Sequence, residues 1–299
     1  MALFTKPVLL ALPYVPKSIM RRLAARYIAG ETLAEALERL KGLAAQGHPG
    51  ILDVLGENVH DEREARQVVA TYEAAAEELA RTKLAAYVSV KPTHVGLTLR
   101  EELALELYSE LAAHLARIGL FLRVEMEDHP TTDGTLRVFT RLRETQANVG
   151  LVLQSRLFRT PQDIAALPAG PLNVRMVKGI YLEPAAIAHT EPGPIRAAYV
   201  ECVRQLAARK AHVALATHDE LLAQQCIEVL QAAGYAKEQY EFQVLMGVRE
   251  ELWRKWREAG HTVRVYVPYG PEWRPYSLRR MKKNPQILGH VMRSTFGLR

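Results

Sequence analysis

Tyr276, Arg279 and Arg280 stand at i, i+3 and i+4 near the end of the stretch Tyr266-Val-Pro-Tyr-Gly-Pro-Glu-Trp-Arg-Pro-Tyr-Ser-Leu-Arg-Arg280. On a helix that spacing puts a phenol and two guanidiniums on one face. Two neighbouring cations repel each other, and an anion docked between them relieves the repulsion. Guanidinium forks grip carboxylates and phosphates through paired hydrogen bonds, and the aromatic faces of Tyr269, Trp273 and Tyr276 can hold an apolar body beside the charge. The chemistry this suits is recognition of a small anion with an apolar part. A solvated helix start is the plainer alternative.

Further polar residues stand at or just after the ends of apolar runs: Glu57, Lys91, Glu125, Gln154, Arg175 with Lys178, Thr217-His218, Gln243 and Tyr266. The runs themselves predict eight strands, over 51–55, 86–91, 121–126, 149–153, 172–177, 212–217, 240–245 and 262–267. Several are rich in Val, Leu and Ile without clean alternation, as expected of strands covered on both faces. Between them lie helical patterns over 61–82, 100–118, 134–146, 161–167, 194–210, 219–233 and 249–259. Pro268, Gly270 and Pro271 break the last strand, and a final helix is expected after Pro275. Eight strand–helix units make a (βα)8 barrel, whose polar strand ends converge on one mouth. The rival is a doubly wound open sheet, but no G-x-G-x-x-G turn follows an early strand.

Two helices are expected before the barrel, over 17–29 and 32–46. Thr32 can cap the second, with Glu35 completing a capping box and Gly47 ending it. The division expected is a helical arm over 1–48 and a barrel domain over 49–299. Residues 1–30 carry five cations and no acid, which resembles a transit peptide, but prolines interrupt the apolar part and a mature arm is favoured.

The chain has 299 residues, 48% hydrophobic and 24% charged, enough for a large core. Its net charge of +6 is mild, and its two cysteines exclude a disulfide framework. No apolar run approaches the ~20 residues that span a bilayer. No metal motif, nucleophile elbow or phosphate loop is present. Redox chemistry would therefore need a cofactor, because side chains do not accept hydrides.

The ordered motifs resemble the flavin-dependent proline dehydrogenases along nearly the whole chain. They are Tyr266-Val-Pro-Tyr-Gly with Trp273-x-x-Tyr276-x-x-Arg279-Arg280; Ala29-Gly30-Glu31-Thr32; Leu55-Gly56-Glu57; Ser89-Val90-Lys91-Pro92-Thr93; the V-L-Q segment at Gln154; Arg175-Met-Val-Lys178-Gly179-Ile-Tyr181; Ala216-Thr217-His218-Asp219; and Phe242-Gln243-x-Leu245-x-Gly247. The size is that of the monofunctional bacterial form.

The resemblance implies a distorted (βα)8 TIM-type barrel, with the last helix over its mouth, that binds FAD and oxidises L-proline to Δ1-pyrroline-5-carboxylate. Electrons would pass to a quinone at the inner-membrane surface, from a cytoplasmic enzyme peripheral to that membrane. It implies that Lys91, Arg279 and Arg280 bind the proline carboxylate and that Tyr181, Tyr266 and Tyr276 surround the ring. Arg175 would contact the flavin near N5, with Gln154, Lys178, Gly179, Thr217 and His218 also holding FAD. Glu57 would pair with Arg279 as a gate. A pyrroline-5-carboxylate dehydrogenase is an implied partner; nucleic acid and a bound metal are not. Three positions depart from the family pattern: Glu125 where Asp is common, Arg156 where Tyr is frequent, and Lys283 where Glu is usual. Two other readings of the residues stay open. One is a Schiff-base barrel enzyme using Lys91 or Lys178 on an anionic substrate. The other is a basic protein that binds nucleic acid through Arg279, Arg280, Lys282 and Lys283.

Overall fold

A computed structural model describes residues 20–21 and 24–283, with side chains as far as Leu278. The eight apolar runs form eight parallel strands: β1 (Gly50–Val54), β2 (Ala86–Val90), β3 (Leu122–Val124), β4 (Val149–Gln154), β5 (Asn173–Val177), β6 (His212–Ala216), β7 (Tyr240–Leu245) and β8 (Val263–Tyr269). Each pairs with the next, and β8 closes on β1 in the register Gly50↔Val265 to Val54↔Tyr269. The result is a closed (βα)8 barrel of the TIM type. β1 to β4 are buried at every position, which explains why their sequences do not alternate.

Around the barrel run α1 (Leu33–Ala45), α2 (Glu62–Thr82), α3 (Glu101–Arg117), α4 (His129–Thr145), α5 (Thr160–Ala166), α6 (Pro192–Ala208), α7 (Glu220–Ala232), α8 (Glu250–Glu258) and α9 (Trp273–Lys283). A short 3-10 turn, Pro92–Val95, follows β2. Thr32 and Glu35 form the expected capping box on α1, and Gly47 follows it at φ +79°. α1 lies against the start of β1, where a Cβ on Gly50 would sit 2.2 Å from the Leu40 side chain. The helix expected over 17–29 lies partly outside the described residues.

Most boundaries shift by a residue or two from the sequence reading, and three differences have a clear physical reason. α4 begins at His129, five residues before 134, because Pro130 fits the first turn, where no N–H is required. α9 begins at Trp273 and takes Pro275 into its first turn for the same reason. β8 runs through Pro268 to Tyr269. There it pairs only with β1, since its pairing with β7 ends at Leu245↔Tyr266, so the missing proline N–H leaves no ladder bond unmade. The Pro268 carbonyl instead accepts the Ala29 N–H, at 2.9 Å, and Gly270 N–H donates to the Gly30 carbonyl. Trp273 Nε1 donates to Glu31 at 2.7 Å. These bonds tie the segment before α1 to the end of β8 and fix where α9 starts.

Candidate active site

The C-terminal ends of the strands bring two buried ion pairs together. Lys91, just after β2, lies 3.1 and 3.3 Å from the two oxygens of Asp53 on β1. The side chains are 12% and 1% exposed, so this pair is shielded from water. Burial works against the Lys91 ammonium, but Asp53, Glu125 and Glu57 outweigh it and hold its pKa above the ordinary lysine value. Burial also pushes the Asp53 carboxyl up, against the pull of Lys91. Lys91 is therefore a fixed cation, the wrong state for a Schiff-base amine.

The second pair joins Arg175 on β5 to Glu125 at 2.5 Å, just beyond β3. Ser89 donates to the same Glu125 oxygen, and Arg175 Nε donates to Gln243 on β7. The guanidinium carbon stands 5.4 Å from the centre of the Tyr266 ring. Burial opposes both charges. Arg175 outweighs it at Glu125, whose pKa falls, and Glu125 does the same for Arg175, whose pKa rises. Glu125, the longer acid at this position, is thus bound to Arg175 and Ser89, and the direct partner of Lys91 is Asp53.

Beyond these pairs the rim carries Lys178, 2.7 Å from Asp219, which also receives Arg196 and caps α7. Thr217 Oγ1 accepts the Asp219 N–H, and His218 Nε2 accepts the Leu245 N–H at 3.1 Å. His218 thus serves as a hydrogen-bonding residue at a strand end. Gln154, the last residue of β4, donates to the Glu127 carbonyl, while its Oε1 is buried with no hydrogen-bond partner among the described residues. Gly179 has φ +99°, and a Cβ there would stand 2.7 Å from that same oxygen. Arg156 donates to the Tyr181 carbonyl. The half-buried Tyr181 lies close enough to Glu127, Glu57, Glu125 and Asp128 for their charges to act on its phenol. Tyr276 on α9 lies within interaction range of Tyr266, so α9 starts at the mouth. Gly56, just before Glu57, packs closely on the His94 ring, where a Cβ would stand 2.1 Å from Nε2.

The helix carrying Tyr276, Arg279 and Arg280 is continuous, so the i, i+3, i+4 spacing holds along its backbone. The side chains of Arg279, Arg280 and Lys283, and with them the Glu57–Arg279 gate, lie outside the described residues.

The sequence reading gave no role to Asp53, Ser89 or Glu127, although Ser89 stands in the motif that carries Lys91. The signal for Asp53 was a carboxylate interrupting the apolar run of β1. Glu127 accepts both the N–H and the hydroxyl of Thr93, at 2.8 Å each, and so anchors the turn after Lys91. Burial pushes its carboxyl up to about 7, against the pull of those Thr93 bonds. A carboxyl raised on folding binds more protons in the native state, so its contribution to stability is full below the unfolded value and lost as pH rises toward 7. Glu127→Gln removes this dependence. Unfolding free energies from urea titrations between pH 5 and 8 should fall less with pH in the variant, by a difference of roughly 2–3 kcal/mol across the range. Parallel curves for the two proteins would contradict this.

Among the described residues no helix is long and apolar enough to cross a membrane. Residues 36–293 match the model of the family described as proline dehydrogenase. The chain is 34% identical to the proline dehydrogenase of Deinococcus radiodurans over 278 residues, 91% of this chain and 90% of that protein. It is 30% identical to proline dehydrogenase 1 of Bacillus subtilis over 270 residues, covering 90% and 89% of the two chains. A crystal structure of proline utilization A (PutA) from Bdellovibrio bacteriovorus, inactivated by N-propargylglycine, shares the fold with a TM-score of 0.80 at 23% identity. The match takes in 87% of this chain and 32% of that longer one. The paired cations of the mouth thus sit in a barrel matched from α1 to past α9, and the chain belongs to the proline dehydrogenase family.

Proposed function

We propose that this protein oxidises L-proline to Δ1-pyrroline-5-carboxylate with FAD as its cofactor and a quinone as the electron acceptor. The observation that carries the reading is the row of buried charges across the mouth, Asp53–Lys91 beside Glu125–Arg175, with Tyr266 against the second pair. A carboxylate docks on a cation that is already ionised and fixed, and the phenol rings confine an apolar ring beside it. Lys91 is that fixed cation, and Arg279 and Arg280 would complete the clamp from α9. Tyr266, Tyr276 and Tyr181 line the ring side. Holding both ends of the substrate converts binding energy into orientation at the carbon that loses hydride. Nearby cations also favour the unprotonated amine, the form that becomes an iminium.

FAD suits the residues opposite. Gln154 Oε1 is a buried acceptor without a partner among the described residues, and Gly179 leaves room beside it that a side chain would fill. Gln154, Arg175, Lys178, Gly179, Thr217 and His218 would hold the cofactor, and Arg175 would bring positive charge to N5. When bound, FAD supplies the hydride acceptor that no side chain provides. Arg175 stays ionised through Glu125, so it can stabilise negative charge arising beside it. Glu57 would pair with Arg279 when no substrate is present. The working place of the enzyme is the cytoplasmic side of the inner membrane, where it meets quinone and passes product to a pyrroline-5-carboxylate dehydrogenase.

The deciding experiment is an absorption spectrum of the purified protein before and after anaerobic L-proline. A yellow protein bleached by L-proline and not by D-proline is the expected result. A colourless protein that gains no activity with added FAD would refute the reading.

A further inference from the structure

The loop after β5 turns one side chain inward between two that face water. Ile180 and Leu182 are 61% and 93% exposed, while Tyr181 between them lies beside the acids of the mouth. Left to itself, a segment with two large apolar side chains in solvent gains by turning them inward, and that turn would carry Tyr181 out. Gly179, at φ +99°, supplies a flexible start for such a movement.

What opposes it is Glu183, two residues beyond Tyr181. Its side chain is 1% exposed. One oxygen is 2.7 Å from His129 Nδ1, and the other accepts the His129 backbone N–H at 3.1 Å. His129 is the first residue of α4, and Asp128 at the cap makes no capping bond with its side chain. Glu183 therefore caps α4 from another loop, where a carboxylate is favoured by the exposed N–H groups. The same contact ties the β5 loop to the segment that carries Glu125 and Glu127. Arg156 adds a second tie through the Tyr181 carbonyl.

We propose that Glu183 is a positioning residue for the substrate pocket: its clamp on His129 holds the 179–188 loop so that Tyr181 closes the ring side of the site. The proposal rests on the role given to Tyr181 above. Glu183→Ala should raise KM for L-proline about tenfold with kcat within about twofold, the loss expected for charge-assisted hydrogen bonds acting through a binding group. In a Tyr181→Ala background the same change should have little further effect, because the group it positions is gone. Amide exchange across 179–188 should quicken in Glu183→Gln, which keeps the shape of the side chain and serves if Glu183→Ala does not fold. Equal losses in both backgrounds, or unchanged exchange in Glu183→Gln, would overturn the proposal. If the parent protein is not reduced by L-proline at all, the functional reading fails, while the exchange measurement still decides whether the clamp holds the loop.

Discussion

Replacing Arg175 by Ala should slow reduction of the proposed flavin by L-proline about 100-fold or more. Removal of a single preorganised donor from a site of developing charge costs on that order. Arg175 is buried, its fork is divided between Glu125 and Gln243, and it stands over Tyr266, so neither water nor a neighbouring side chain can take its place. Arg175→Lys should recover only part of the rate, since a point charge cannot reach both partners. The loss has a second origin that must be separated from the first. Without Arg175, Glu125 is a buried carboxylate that has lost its directly bonded counter-ion and keeps only the more distant charge of Lys91, at a cost of up to about 3–5 kcal/mol. Its pKa would then rise on folding, so stability would fall as pH increases from about 5 to 8. Adding Glu125→Gln should restore most of the stability and leave the reduction rate low. Stopped-flow reduction and thermal unfolding of the two variants make the test. A rate that returns with the stability would assign Arg175 a structural role only.

Lys91→Met should raise KM for L-proline by one to two orders of magnitude, the loss of a charge-assisted contact to the substrate carboxylate. The ammonium is nearly enclosed, and Asp53 holds it by both carboxylate oxygens. The site thus presents an ionised, oriented cation before substrate arrives, and little ordering remains to be done on binding. Asp53→Asn tests the other half of the pair. The amide keeps its shape and gives up its charge, so Lys91 stays cationic through Glu125 and Glu57 but loses its anchor. KM should rise in the same direction and by less. An unchanged KM in Lys91→Met would place the carboxylate on the arginines of α9 alone.

Most of the architecture could be read from local pattern. Strand runs, helix caps and the order of units depend on neighbours a few residues apart, and the barrel is the closed form that such an alternation takes. The polar strand ends were legible for the same reason: a parallel barrel turns a repeated position in the sequence into one place in space. α4 and α9 began early because proline is a breaker inside a helix and harmless in its first turn. A pattern of side chains alone does not distinguish the two cases.

By itself, then, the sequence determined the family motifs, the eight-unit barrel and many of the polar residues at its strand ends, but not Asp53. Only the tertiary structure decided who pairs with whom. Asp53 meets Lys91 across 38 residues, Glu125 meets Arg175 across 50, and Glu183 meets His129 across 54. Each pairing follows from strand register and loop path, and each is stable because burial makes an unpartnered charge costly. That cost acts only once the chain is closed, which is why a carboxylate within an apolar run reads as an interruption in the sequence and as an anchor in the fold.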